Sequence, residues 1–387
     1  MSLRNHDRPN HPQGWEPGIV WDGTTGEISS GALDQEPTDA IWQELVKDWG
    51  VGPNVQITPG SVQLRAWDAF VGGKVVRMRY YRARLEPSVP AEDRADIDEL
   101  CRLVERRAKA PAAPALLGDK GLVVLLSDWQ AGKAHEEGGG TPEFIERLMA
   151  TYDRLEQHVR KHKKAIGAIY LVGLGDLIEN CGEHYAAQTF TVDLDRREQC
   201  RLVRRLILNL VDRLIPFGVP IILGAVPGNH GENRRGGKAF TNVFQDNDDL
   251  AVVEQVAEIL SANPERYGAV NVPTGAIAED HTMTLDVMGV AVGFAHGHQI
   301  KNGAPTWWVK QAHGRQEIGH ADILCTGHYH HLAISESSGR TWMQSPAMDG
   351  GSRWYTATSG ASAPSGMLTF LAGESCGDRG WSDLAVL

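Results

Sequence analysis

Gly327-His328-Tyr329-His330-His331, following the apolar run Ile323-Leu324-Cys325, packs three imidazoles into four residues. On a strand or its exit loop, His328 and His330 point the same way, because side chains two apart share a face. Two like-facing imidazoles suit a borderline-soft metal, and Gly327 lets the backbone come close to whatever they hold. Two surface histidines on a loop would look the same, so the rest of the chain must supply partners.

Four earlier apolar runs each end in a potential ligand. Leu122 to Leu126 runs into Ser127-Asp128-Trp129-Gln130, and Ala168 to Val172 into Gly173-Leu174-Gly175-Asp176-Leu177-Ile178-Glu179. Val219 to Leu223 leads to Pro227-Gly228-Asn229-His230-Gly231-Glu232, and Val287 to Phe294 leads to Ala295-His296-Gly297-His298. Short β-branched runs bounded by glycine read as buried strands, and in open α/β sheets ligands sit beyond the carboxyl ends of such strands.

Together these five motifs resemble the calcineurin-like metallophosphoesterases, whose pattern is D-x-H, G-D-x-x-[DE], G-N-H-[DE], a lone His after a strand, and G-H-x-H. The resemblance extends from Gly121 to the C-terminus, with all five motifs in order. It implies a layered αββα sandwich and two divalent metal ions, Mn²⁺ first, with Fe or Zn²⁺ as alternatives. One ion would take Asp128, Asp176 and His330, with Gln130 in the place of a further ligand. The other would take Asp176, Asn229, His296 and His328. His230 would be the general acid at the phosphate. In plan the chain is similar to the DNA-repair exonuclease branch and to phosphoesterases encoded by bacterial viruses. Two departures stand out: Gln130 replaces the usual histidine, and Gly231 is inserted before the acid Glu232.

The chemistry of the side chains fits this expectation. A carboxylate has two oxygens and can bridge two cations, and mixed O/N donors suit Mn²⁺, Fe or Zn²⁺ better than Mg²⁺ or Ca²⁺. The Gln130 amide oxygen can ligate but is neutral, so the first ion is expected to be held more loosely. Arg234 and Arg235 follow in a Gly-rich loop where a guanidinium could grip phosphate, although an exposed loop would also contain them. His298, His331, His135 and His184 are surplus, with His298 a candidate substrate contact. Trp307-Trp308 could stack on a base, but core packing is the simpler account of at least one of them.

The chain of 387 residues is long enough for two domains, and its 42% hydrophobic content is ordinary for a globular protein. Residues 1–115 are expected to form an accessory α+β module and residues 116–387 the α/β domain, with the Ala110-Pro111-Ala112-Ala113-Pro114 run as linker. Within the module, residues 1–38 read as an irregular arm. Ile41, Trp42, Leu45 and Trp49 then predict a helix after Thr38, Val62 to Leu85 a β-hairpin, and Pro90 to Ala108 a second helix. The hairpin carries Arg65, Lys74, Arg77, Arg79, Arg82 and Arg84 against Asp68, a local +5 in a chain of net charge -11. Trp67, Phe70, Tyr80 and Tyr81 lie among them. Such a mixture can bind DNA or RNA phosphates and bases, or can equally be a solvated face above a core.

No run approaches the roughly 18 apolar residues of a membrane span, and the N-terminus lacks an apolar signal core, so the expected location is cytoplasmic. Five unpaired-looking cysteines argue against a disulfide framework. Three readings stay open: a phosphodiesterase or nuclease, a phosphomonoesterase or small cyclic-nucleotide phosphodiesterase, and a binding scaffold without activity. His230 speaks for the enzymes and Gln130 for the scaffold.

Overall fold

The computed structural model describes residues 15–22, 25–33, 35–49, 55–71, 74–87, 95–104, 118–134, 139–182, 184, 188, 191–235, 238–239, 246–351 and 363–387. The chain forms two compact units, Met1–Arg94 and Ala95–Leu387. The Ala/Pro run, where the sequence reading sets the boundary, lies outside the described residues.

The first unit contains β1 (Gly18–Trp21), β2 (Gly26–Ser29), α1 (Asp39–Asp48), β3 (Val55–Ile57), β4 (Gln63–Val71) and β5 (Lys74–Pro87). Its sheet runs β1-β2-β5-β3, with β4 also paired to β5. The expected irregular arm therefore includes a short hairpin. Ile28 explains it, because that side chain is wholly buried where β2 pairs with the far end of β5, and a four-residue strand is too short to show a period. Helix α1 follows Thr38 as expected and buries Trp42 and Val46. The β4/β5 hairpin also matches, with Gln63 opposite Arg82 and Val71 opposite Lys74; Gly72 and Gly73 lie outside the described residues.

Alternation along this hairpin divides the arginines. Arg65 pairs with Tyr80 and Trp67 with Met78, so Arg65, Arg82 and Arg84 share one face with Trp67 and Tyr80, while Arg77 and Arg79 project from the other. The Trp67 and Tyr80 rings stack at 4.9 Å. Arg77 is paired with Asp68 at 3.1 Å, and Arg82 bonds Ser29 Oγ and lies over the Trp15 ring. Arg65 and Arg84 are exposed.

The second unit begins with α2 (Ile97–Val104), β6 (Lys120–Leu126), α3 (Thr141–His162), β7 (Ile166–Gly173), α4 (Arg196–Leu214) and β8 (Ile221–Ala225). A two-stranded ribbon of β9 (Arg234–Arg235) and β10 (Lys238–Ala239) precedes α5 (Asp248–Ser261), α6 (Pro264–Tyr267) and β11 (Val270–Asn271). Next come β12 (Thr282–Val287), β13 (Val290–Ala295), α7 (Ala304–His313), β14 (Ile323–Thr326), β15 (Ala333–Ser337), β16 (Arg340–Gln344), β17 (Leu368–Ala372) and β18 (Trp381–Val386).

Two sheets result, ordered β11-β8-β7-β6-β17-β18 and β12-β13-β14-β16-β15. Side-chain parity stacks them. Leu122, Val124 and Leu126 of β6 face the core that includes Leu148, Tyr152 and Leu155 of α3 and Val203, Leu206 and Leu210 of α4. Val123 and Leu125 face the second sheet and meet Val292, Phe294, Ile323 and Cys325. On that sheet's outer side, Leu324 packs with Trp308 of α7. The layers are helix, sheet, sheet, helix, as the motifs imply. Near-continuous apolar strands were legible because both faces of each sheet are covered.

Two details differ from the sequence reading. The run Val287 to Phe294 is interrupted by Met288 (φ 52°) and Gly289 (φ 86°), a two-residue turn with both residues left-handed that makes β12 and β13 a hairpin. Helix α2 packs on the second unit, where Leu100 and Val104 join its core. Trp308 donates its indole N–H to Ile318 O at 2.7 Å beneath the Arg340 guanidinium, which makes it a core residue.

Leu171 lies at 0% exposure in β7. Leu171→Ala should destabilise the protein by about 2–5 kcal/mol in urea titrations. Val309→Ala, on an exposed site of α7, should stay within about 0.5 kcal/mol of wild type.

Candidate metal centre

Strands β6, β7 and β8 are parallel in one sheet, and β13 and β14 are parallel in the other, so their exit loops meet at one edge. Sharp turns then aim polar side chains inward. Asp128 (φ 50°), Gln130 (φ 44°), Asp176 (φ 53°), His328 (φ 70°) and His330 (φ 60°) all adopt the left-handed region. Non-glycine residues hold that conformation at a cost of about 1–2 kcal/mol each, so surrounding bonds must fix it. Asp249, at the start of α5, does much of this: its carboxylate accepts from the N–H groups of Asp176 (2.9 Å), Leu177 (2.9 Å) and Gly228 (3.1 Å). Two glycines permit the packing. A Cβ on Gly231 would lie 2.4 Å from Asn247 Oδ1 and 2.7 Å from Asp249 Oδ2, and one on Gly327 would lie 2.3 Å from Ser127 Oγ. The glycine that sets this chain apart from the G-N-H-[DE] pattern thus gives Asp249 room.

Asp176, His296 and His328 bring one donor atom each within 4.8 Å of one another. Asn229 joins them, its Oδ1 3.2 Å from His296 Nε2, which is 3.0 Å from Asp176 Oδ2. The amide is oriented by its own NH₂, which sits 3.0 Å from His184 Nε2. His296 Nδ1 lies 2.8 Å from Leu174 O, and donation there directs Nε2 to the cluster. One carboxylate, one amide oxygen and two imidazoles are a donor set that fits a divalent ion, which would replace the proton that His296 shares with Asp176. Burial opposes charge on His296, but the Asp176 carboxylate lifts its pKa to about 9. Burial, then the charge of His296, lowers His328 to about 4 and His298 to about 3, leaving both neutral and able to ligate at pH 7. Asp176 is held well below the usual carboxylate range despite its burial, by His296 and His230.

Across the site, Asp128 Oδ1 is 3.2 Å from His330 Nε2, and His330 Nδ1 is 3.6 Å from Asp349 Oδ1. The two histidines of the opening motif therefore serve different neighbours. Strand β14 has ended at Thr326, and left-handed turns, not pleating, set their directions. Gln130 does not face the same way: its Oε1 accepts from Lys133 Nζ at 3.1 Å, and its Nε2 is 3.5 Å from His230 Nε2.

His230 lies beside the cluster with Nδ1 2.9 Å from Glu179 O and 3.4 Å from Glu179 Oε2. Burial works against its charge, but Asp176 and Glu179 outweigh that and lift its pKa to about 10. Arg234 is tied to Glu232 at 2.7 Å, and His298 Nε2 lies 3.9 Å from Glu232 Oε1. His331 is exposed and turned to Tyr329 O. His135 and the Arg235 side chain lie outside the described residues. Lys133, Asp349, Asn247 and Asp249 escaped the sequence reading. Asp248-Asp249 after Asn247 was visible as a helix start, but nothing in one sequence tells a helix cap from a loop clamp.

No protein-family model and no curated protein matches this sequence. Solved structures do. The chain is similar to a Vps29 variant from Entamoeba histolytica, at 13% identity over 69% of this chain and 99% of that one, with a TM-score of 0.30. It is also similar to a predicted phosphoesterase from Streptococcus pneumoniae, at 10% identity over 66% and 83% with a TM-score of 0.27, and to an archaeal phosphodiesterase, at 10% over 69% and 99% with a TM-score of 0.30.

Asp249→Ala would leave three buried N–H groups of the loops without their acceptor. Hydrogen bonds to a charged group contribute about 1.5–3 kcal/mol each. The variant should lose at least about 3 kcal/mol by chemical denaturation and bind Mn²⁺ more weakly by calorimetry.

Proposed function

We propose that the chain is a metal-dependent phosphoester hydrolase acting on phosphodiesters, with nucleic acid as substrate class. The observation that carries this reading is the convergence of Asp176, Asn229, His296 and His328 on one point with His230 beside them. These residues would hold a divalent ion, which would supply Lewis-acid activation of water and offset phosphoryl charge. Mixed O/N donors favour Mn²⁺, with Fe or Zn²⁺ as alternatives. In the two-ion reading, Asp128, Asp176 and His330 hold the other ion, and it is the weaker of the two because Gln130 turns its oxygen to Lys133.

His230 acts as the proton donor. Its Nδ1 is occupied by Glu179, so Nε2 faces the site, and the Glu179 carboxylate favours the protonated ring. Water adds to phosphorus as the ester bond breaks, and the leaving oxygen takes the His230 proton. Glu232 pairs with Arg234, and in this reading Arg234, Arg235 and His298 are assigned to substrate contact.

The polynucleotide part of the reading rests on the hairpin face that combines exposed Arg65 and Arg84 with the stacked Trp67 and Tyr80. A second reading, small diesters or monoesters, is favoured by the engagement of Arg77 with Asp68 and Arg82 with Ser29, which reduces the free cationic surface.

Assays with Mn²⁺ on p-nitrophenyl phosphate, bis-p-nitrophenyl phosphate and single-stranded DNA test the function. Hydrolysis of DNA and of the diester is expected; hydrolysis of the monoester alone would favour the second reading, and none on any substrate would overturn the proposal. His230→Ala should lower turnover by roughly 10²–10⁴ while Mn²⁺ content stays at the wild-type value. Arg65→Glu with Arg84→Glu should weaken DNA binding and flatten its salt dependence, with small-diester turnover unchanged. Equal loss on both substrates would remove the hairpin from substrate binding.

A further inference from the structure

The side of the site that holds Asp128 and His330 contains a cation of its own. Lys133 Nζ donates to Asp349 Oδ2 at 2.6 Å and to Gln130 Oε1 at 3.1 Å. Asp349 is buried and Lys133 partly so, with side-chain exposures of 4% and 12%. Asp349 in turn faces His330 Nδ1, and the N–H groups of Met348 and Asp349 donate to Asp128 O at 3.1 and 3.3 Å. The ammonium is thus built into the same framework that carries Asp128 and His330. It also engages Gln130 Oε1, a donor atom that could otherwise have joined Asp128 and His330 there. Asp128 is occupied as well, its carboxylate accepting from His328 N and from the Ser127 hydroxyl. Among the described residues, the only group of three close histidine, cysteine or acidic ligands is Asp176, His296 and His328.

We propose that Lys133 is an internal substitute for half of a two-ion centre: the protein binds one divalent ion tightly, at Asp176, Asn229, His296 and His328, and the Lys133 ammonium supplies the second positive charge. This rests on the metal-hydrolase reading above but makes a separate claim, about stoichiometry. Gln130 then has a physical account. An imidazole at that position would need its lone pair for a metal and would press a second dication against the ammonium. An amide instead offers its oxygen to Lys133 and carries no charge of its own. The exchange of a histidine for glutamine and the placement of a lysine three residues later form one arrangement.

The experiment is a count of bound Mn²⁺ by equilibrium dialysis and elemental analysis on the full chain. Wild type should hold one tight Mn²⁺ per chain. Gln130→His combined with Lys133→Ala should hold two, the second tightened by something like 10–100-fold over wild type, with the first unchanged. Lys133→Arg, which keeps the charge, should stay at one. Two equally tight ions in wild type would overturn the proposal without any variant. So would a double variant that is folded by circular dichroism yet still binds one. Absence of hydrolysis with a stoichiometry of one would instead remove the hydrolase reading and leave the lysine substitution standing.

Discussion

The carboxylate of Asp249 accepts hydrogen bonds from three backbone N–H groups in two different loops, and the donor geometry depends on it. Asp176 and Asn229 sit on those loops, and Asp176 holds a left-handed backbone that ordinary residues adopt only under constraint. The clamp is itself buried, where a carboxylate is stable only with such donors around it. Burial and the neighbouring Asp176 push its pKa up to about 7, so the N–H groups stabilise a charge that the surroundings oppose. Orientation of the inner donors is therefore set before any ion arrives.

The architecture was legible in the sequence because each sheet is covered on both faces, which makes strands such as Leu122–Leu126 continuous apolar runs. The chain order of the donors was legible too, since each follows such a run. Three things were not. The short β1/β2 hairpin has too few residues to display a period. The Met288–Gly289 turn hides inside an apolar run, because both its residues look like strand residues until their backbone angles are known. Finally, the partners of the donors lie far away in the chain: Lys133 and Asp349 are 216 positions apart, and no local pattern announces that pairing.

Position along a strand also matters for the basic hairpin. Counting arginines gives one number, but the pleat sends Arg77 and Arg79 to one side and Arg65, Arg82 and Arg84 to the other. The first pair shares its face with Tyr81 and the second group with Tyr80, each 3% exposed. The second group shares its face with stacked aromatic rings. Composition alone merges two surfaces that the strand keeps apart.

The bond from His328 N to Asp128 spans 200 residues of chain, and the exit loops of both sheets must be in place before it can form. Contacts between such distant segments are closed late and slowly, because the loop entropy between them is lost before the contact rewards it. In the metal-binding reading proposed above, ion capture would report on complete folding: a chain whose second sheet has not docked exposes isolated histidines and carboxylates with no shared focus. Ion uptake followed against time during refolding would then be a clock for the assembly of the two sheets.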